Sequence, residues 1–119
     1  MINLDTHMLV FALAGDVKPR ERRLLEGNTW SIAAIVLWEL AKLVQLGRVT
    51  LDLSDAEVVR TLSNLHVWPL DLAVSIQSTR LDFQSDPADE VIAATSIVHA
   101  VPLLTRDKRI LKSRIVPLA

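Results

Sequence analysis

Four carboxylates of this chain, Asp5, Glu39, Asp89 and Asp107, occupy positions where an acid needs something to bind. Asp5 ends an apolar N-terminal run, and Glu39 interrupts the apolar face of a hydrophobic helix. Asp89 opens another apolar helix, and Asp107 follows a short apolar strand. A buried carboxylate without a counter-charge is very unfavourable. No Lys or Arg has obvious reach to all four, whereas one divalent cation would satisfy them together. Hard oxygen donors of this kind suit Mg²⁺ or Mn²⁺, and the chemistry such a site supports is metal-assisted hydrolysis.

Each acid also has an ordinary reading. The helical neighbours of Glu39 at three, four and seven positions are Ile35, Val36, Leu43 and Leu46, all apolar. An exposed pair with Lys42 would be worth only a few tenths of a kcal/mol and leaves that placement unexplained. Asp5 closes a strand, where open parallel sheets bind ligands, but it could equally cap a helix starting at Thr6. Thr6 could itself cap, or steady Asp5 or a bound water. Asp86 reads as an N-cap, while Asp89 shares a small apolar face with Ile92, Ala93 and Ser96. Asp107 alone reads as a turn residue of Thr-Arg-Asp-Lys. The four gain weight together: two close strands, and two come from helices that would flank those strands. Thr6, Ser31, Asp86 and Thr105 form the expected supporting set, and His7, His66 and His99 lack metal-ligand spacing.

The elements that must position these residues alternate between apolar runs and helical patterns, which predicts a mainly parallel sheet flanked by helices. Strands are expected at Ile2–Asp5, Thr29–Ile32, Val67–Leu70, Pro102–Thr105 and Ile115–Leu118. Helices are expected at about Thr6–Leu13, Pro19–Leu25, Ala34–Leu46, Ser54–Leu65, from the Asp71 cap to Leu81, and Pro87–His99. Gly15, Gly27 and Gly47 stop three of them, and Ser54 with Glu57 reads as a capping box.

The chain's 119 residues are the size of one domain, and half of them are apolar, which excludes general disorder. There is no cysteine, which fits a reducing cytoplasm and removes thiol chemistry and Cys-based zinc sites. The N-terminal apolar run contains Asp5 and has no basic residue before it, so neither a signal peptide nor a membrane span is expected. Net charge is −1, yet nine of the 13 basic residues fall in two clusters. These are Lys18, Arg20, Arg22 and Arg23, and Arg106, Lys108, Arg109, Lys112 and Arg114. They read either as solvated segments or as two basic patches flanking an acidic centre, suited to a phosphate backbone. No glycine-rich phosphate loop is present.

Taken in order, these segments resemble the PIN domain family and, within it, the VapC-like ribonuclease toxins of toxin–antitoxin pairs. The resemblance rests on Ile-Asn-Leu-Asp5-Thr6-His, on Ser31 through Trp38-Glu39-Leu, and on Leu46-Gly47-Arg48. It continues in Asp86-Pro-Ala-Asp89-Glu and Pro102-Leu-Leu-Thr105-Arg-Asp107. It implies a three-layer α/β/α sandwich and a Mg²⁺- or Mn²⁺-dependent endoribonuclease leaving 5′-phosphate and 3′-hydroxyl ends. Asp5 and Asp89 would be the main ligands, with Glu39 and Asp107 completing the site. It further implies a cognate antitoxin and a homodimer. Gln84, Ser85, Ala88 and Glu90 depart from the family's usual His-Arg, Phe-type and Arg pattern around Asp-Pro, which bears on RNA and dimer contacts. Two other readings stand beside this one. An aspartyl phosphotransferase would need an acid where His7 stands, and a PIN-like scaffold would bind RNA or protein without cutting.

Overall fold

Apolar β-rich runs at Ile2–Leu4 (β1), Trp30–Ala33 (β2), His66–Trp68 (β3) and Leu103–Leu104 (β4) pair into one sheet of order β3-β2-β1-β4. The computed structural model describes residues 1–119, and every pairing in the sheet is parallel. Inner strands of a parallel sheet are covered on both faces, and all three residues of β1 are buried; β3, at the edge, leaves His66 and Val67 exposed. Seven helices complete the chain: α1 (Thr6–Ala14), α2 (Pro19–Glu26), α3 (Ala34–Gln45), α4 (Ala56–Ser63), α5 (Leu72–Ser78), α6 (Pro87–His99) and α7 (Lys108–Leu111). The expected parallel α/β architecture is therefore present. A core cluster of 15 buried residues includes Leu4, Ile32, Val36, Leu40, Ile92 and Leu104. Gly15 closes α1 at φ 73°, a left-handed conformation that an L side chain would strain.

Strand order decides where a site can form. From β1 the chain runs outward through β2 and β3 on one side, and returns to β4 on the other. The carboxyl ends of β1 and β4 therefore flank a topological switch point, where open α/β sheets leave a crevice.

Several elements differ from expectation, each for a local reason. The Ile115–Leu118 segment forms a single parallel bridge, Leu103 to Leu118, not a strand. Pro117 has no N–H to continue a ladder, and Ser113 and Arg114 are instead tethered to the Asp82 carboxylate, both at 2.7 Å. The cap of α4 is Asp55, whose carboxylate accepts from the Glu57 and Val58 N–H groups; Ser54 is occupied by Asp52. Helix α5 ends at Ser78, where the Ser78 and Thr79 hydroxyls bond back to carbonyls at 2.7 Å. Helix α7 was not anticipated, and Asp107 caps it.

The basic clusters are also less free than their composition implies. Glu21 is buried and pairs bidentately with Arg106, which donates from Nε at 2.8 Å and Nη2 at 2.7 Å. The other side of Arg106 covers the Phe11 ring, with 3.9 Å to its centroid. Glu21 Oε1 also accepts from the Lys18 N–H at 2.8 Å and fastens the first turn of α2. This staple joins α2 to the segment after β4 across 85 residues of sequence.

The Arg106 hydrogen bond is the leading cause that pulls the Glu21 carboxyl from its ordinary 4.5 down to about 2. A depressed carboxyl pKa contributes stability that is present above the unfolded value and lost as pH falls through the folded one. Glu21→Gln should therefore destabilise the protein at neutral pH by about 1.5–3 kcal/mol. The gap between wild type and variant should close as pH falls from 4.5 toward 2. Chemical denaturation across that range checks this, and a gap independent of pH would contradict it.

A carboxylate-lined cavity at the strand ends

Register brings the first pair of polar residues together. Leu4 is the partner of Leu104 in the sheet, so Asp5 and Thr105 leave β1 and β4 side by side. The Thr105 hydroxyl donates to Asp5 Oδ2 at 2.5 Å and accepts from the Asp107 N–H at 3.0 Å. Asp5 Oδ1 accepts from the Met8 N–H at 2.8 Å and so caps α1. Asp5 therefore caps α1 and lines the cavity as well. Asp107 is likewise double: its Oδ1 accepts from the Arg109 N–H at 2.8 Å.

The helices supply the remaining acids. Glu39, in the middle of α3, is half-buried, and its Oε1 accepts from the Thr6 hydroxyl. Asp89, in the first turn of α6, accepts from the Ser85 hydroxyl at 3.1 Å. Asp86 has the backbone geometry of the α6 N-cap, but its side chain makes no cap hydrogen bond. The five acids Asp5, Glu39, Asp86, Asp89 and Asp107 line one cavity of about 420 Å³.

Ser31 lies elsewhere. Its hydroxyl is fully buried and donates to the Ile2 carbonyl at 3.1 Å and to Asn3 Oδ1 at 3.3 Å. It braces the sheet and touches none of the acids, because its side chain lies over β1 rather than beyond the strand end. His7, set aside for lack of metal-ligand spacing, and Arg109, read only as part of a basic cluster, also line the cavity. Each stands two positions after an acid that closes a strand, and that spacing was the available signal. Arg106 also borders the cavity.

Burial and neighbouring acids set the electrostatics of Asp5 and Asp89. Burial pushes the Asp5 carboxyl above its ordinary 3.8; Asp107 adds to the rise, while Thr105, the Met8 N–H and His7 oppose it. Burial also raises Asp89, opposed by Ser85 and reinforced by Glu39, Asp107 and Asp5. The site thus favours protons, or a cation, on these oxygens. No three of the carboxylates converge tightly enough to cage an ion by themselves.

Comparison with known proteins follows the same lines. The model of the PIN domain family matches residues 2–114. Ribonuclease VapC22 of Mycobacterium tuberculosis is 33% identical over an alignment of 88 residues that covers 71% of this chain and 67% of that protein. Among solved structures, a toxin–antitoxin complex from Klebsiella pneumoniae contains a chain that superposes with a TM-score of 0.75 at 17% identity. The match covers 100% of this chain and 96% of that one. VapBC2 from Rickettsia felis, bound to a promoter DNA fragment, gives 0.70 at 21% identity, covering 100% and 98%. At such identities these structures establish a shared fold.

A carboxyl raised in the folded state contributes stability that is complete below the unfolded value near 3.8 and falls as pH rises through the folded value. In chelator, Asp5→Asn should keep the α1 cap, since Asn caps as well as Asp, while removing a buried charge. Its Tm should exceed that of wild type at pH 8, and the difference should shrink toward pH 4. Thermal melts over this range check the sign; a wild type that gains on the variant as pH rises would contradict it.

Proposed function

The chain belongs to the PIN domain family, and from that premise we propose that it is a metal-dependent endoribonuclease, the toxin of a toxin–antitoxin pair. In this reading one domain, residues 1–119, carries the whole site. The observation that carries the proposal is the single cavity at the switch point of the sheet, lined by acids from four separate segments of the chain. Core architecture alone gives no reason for so many carboxylates to converge there.

The donor set fits Mg²⁺ or Mn²⁺, since every acid offers hard oxygen. Because the acids do not form a closed cage, one or two would bind directly and the rest through water, a habit of Mg²⁺. Asp5 and Asp89 are the proposed main ligands, with Glu39, Asp107 and Asp86 holding water around them. The bound ion would polarise a phosphodiester oxygen and lower the pKa of a bound water. The chain's own residues orient the acids. Thr105 fixes Asp5, Thr6 fixes Glu39, and Ser85 fixes Asp89. Rotamers locked in this way keep the oxygens aimed before any ligand arrives.

The substrate is proposed to be RNA, with VapC22, named a ribonuclease, as support. An antitoxin partner is supported by the Klebsiella chain, which was solved in a toxin–antitoxin complex. A homodimer is supported by apolar side chains left exposed on two helices, Leu37 and Trp38 of α3 and Leu72 and Ile76 of α5. No helix is long and apolar enough to cross a membrane; the cytoplasm, where RNA is plentiful, is the proposed place of action.

Partners one shell out from a metal typically contribute about 10–100-fold in affinity or activity, and a direct ligand contributes at least as much. Asp89→Asn should therefore lower Mn²⁺-dependent RNA cleavage by about 100-fold or more, with the fold retained by circular dichroism. Excess EDTA should stop the wild type. Full cleavage by Asp89→Asn, or cleavage indifferent to EDTA, would overturn the assignment.

A further inference from the structure

The Glu21–Arg106 staple does more than close the fold. It draws the start of α2 against the segment after β4, and between them lies a second cavity of about 400 Å³. Its walls carry Lys18 and Arg20 from one basic cluster and Arg106 and Lys108 from the other, beside a single carboxylate, Glu21. Arg106 neutralises that carboxylate bidentately. Arg20 is held by the main-chain oxygen of Ala119 at 2.5 Å. Lys18 and Lys108 are exposed and make no ion pair, the chain's one salt bridge being Arg106 to Glu21. With Arg106 committed to Glu21 and Arg20 to Ala119, Lys18 and Lys108 remain as two positive charges on the cavity wall without an acidic partner.

Its location matters as much as its charge. Arg106 borders both this cavity and the acidic one. Thr105, on the wall of the basic cavity, also hydrogen-bonds Asp5 in the acidic one. The two cavities thus adjoin through Arg106, so a strand of nucleic acid with one phosphate over the carboxylates would pass the basic walls. Resting on the ribonuclease reading, we propose that the cavity walled by Lys18, Arg20, Arg106 and Lys108 is a phosphate subsite that grips the RNA backbone beside the phosphate being cut. Lys18 and Lys108 make the contacts; Arg106 holds the two walls together. Near-zero net charge is then no argument against a polyanion, because the positive charge is concentrated where the substrate passes. The ammonium groups contact phosphate as point charges, so the subsite grips any sequence and leaves base selection to other surfaces.

The test is binding of a fluorescent single-stranded 12-nucleotide RNA to the full chain in EDTA, over a range of salt. Each phosphate contact on a single strand contributes about −0.7 to the slope of log K against log salt. Lys18→Ala with Lys108→Ala should weaken binding at least tenfold and flatten the slope by about 1.4. The control pair Lys112→Ala with Arg114→Ala removes equal charge from the same surface cluster outside the cavity, and should change both far less. Equal losses from the two pairs would reduce the cavity to diffuse surface charge and overturn the proposal, as would no loss from the first pair. A polyglutamate peptide that competes with RNA through Lys18 and Lys108, while RNA alone binds independently of them, would assign the cavity to an acidic protein segment and likewise overturn it. Cleavage is scored separately with Mn²⁺. A protein that binds RNA through the two lysines but never cuts it refutes the reaction and leaves the subsite standing. A protein that cuts RNA with unaltered affinity in the lysine variant does the reverse.

Discussion

The side chain of Asn3 is the fixed point of this structure. It is fully buried in β1, in the interior of the sheet, where an unpaired amide would cost about 1–3 kcal/mol. Its Nδ2 donates to the Ser96 hydroxyl of α6 at 3.0 Å, and its Oδ1 accepts from Ser31 of β2. Ser96 lies two turns after Asp89 on the same face of α6. A roll of α6 that took Asp89 out of the cavity would also break the amide pairing. Along β1, Asn3 and Asp5 share one face because side chains alternate. One buried amide thus ties the orientation of a strand acid to that of a helix acid.

The acids themselves serve both folding and the site. Asp5 starts α1 and Asp107 starts α7, yet both border the same cavity. Sharing explains how a small domain keeps buried carboxylates that repel one another. Each cap hydrogen bond and each hydroxyl partner offsets part of the burial penalty, and what remains appears as raised proton affinity at Asp5 and Asp89. That residual is the affinity a cation would exploit. Filling these positions with neutral amides would relax the fold at the expense of any cation binding there, an opposition between stability and function.

Much of this was legible in the sequence, because the signals were local or periodic. Strand, helix and acid alternated in a readable order, and the helical face of Glu39 and the strand-end positions of Asp5 and Asp107 pointed to a common crevice. The unread parts are long-range pairings. Nothing near Glu21 announces that it is buried against Arg106, 85 residues away. Arg106 reads as one more charge in a basic run until its partner is known. Ser31 was legible as a strand residue with a hydroxyl, but not as a residue facing Asn3, since that depends on which strands become neighbours. Competing local hydrogen bonds account for the smaller differences: Asp55 outdoes Ser54 as a cap because Asp52 already holds Ser54.

The three residues Thr105, Arg106 and Asp107 condense the logic of the molecule. They leave β4 in a short extended segment before α7, where successive side chains point in opposite directions. Thr105 and Asp107, two apart, are joined through the Thr105 hydroxyl and serve the acidic cavity. Arg106, between them, turns its guanidinium to Glu21 and brings the basic start of α2 alongside. Arg106 borders the acidic cavity, yet its guanidinium is committed to Glu21 by two hydrogen bonds. Had Arg106 turned inward, it would have neutralised the carboxylates and displaced any cation from them. Buried Glu21 supplies the competing partner that prevents this, so a residue remote from the acids protects their charge.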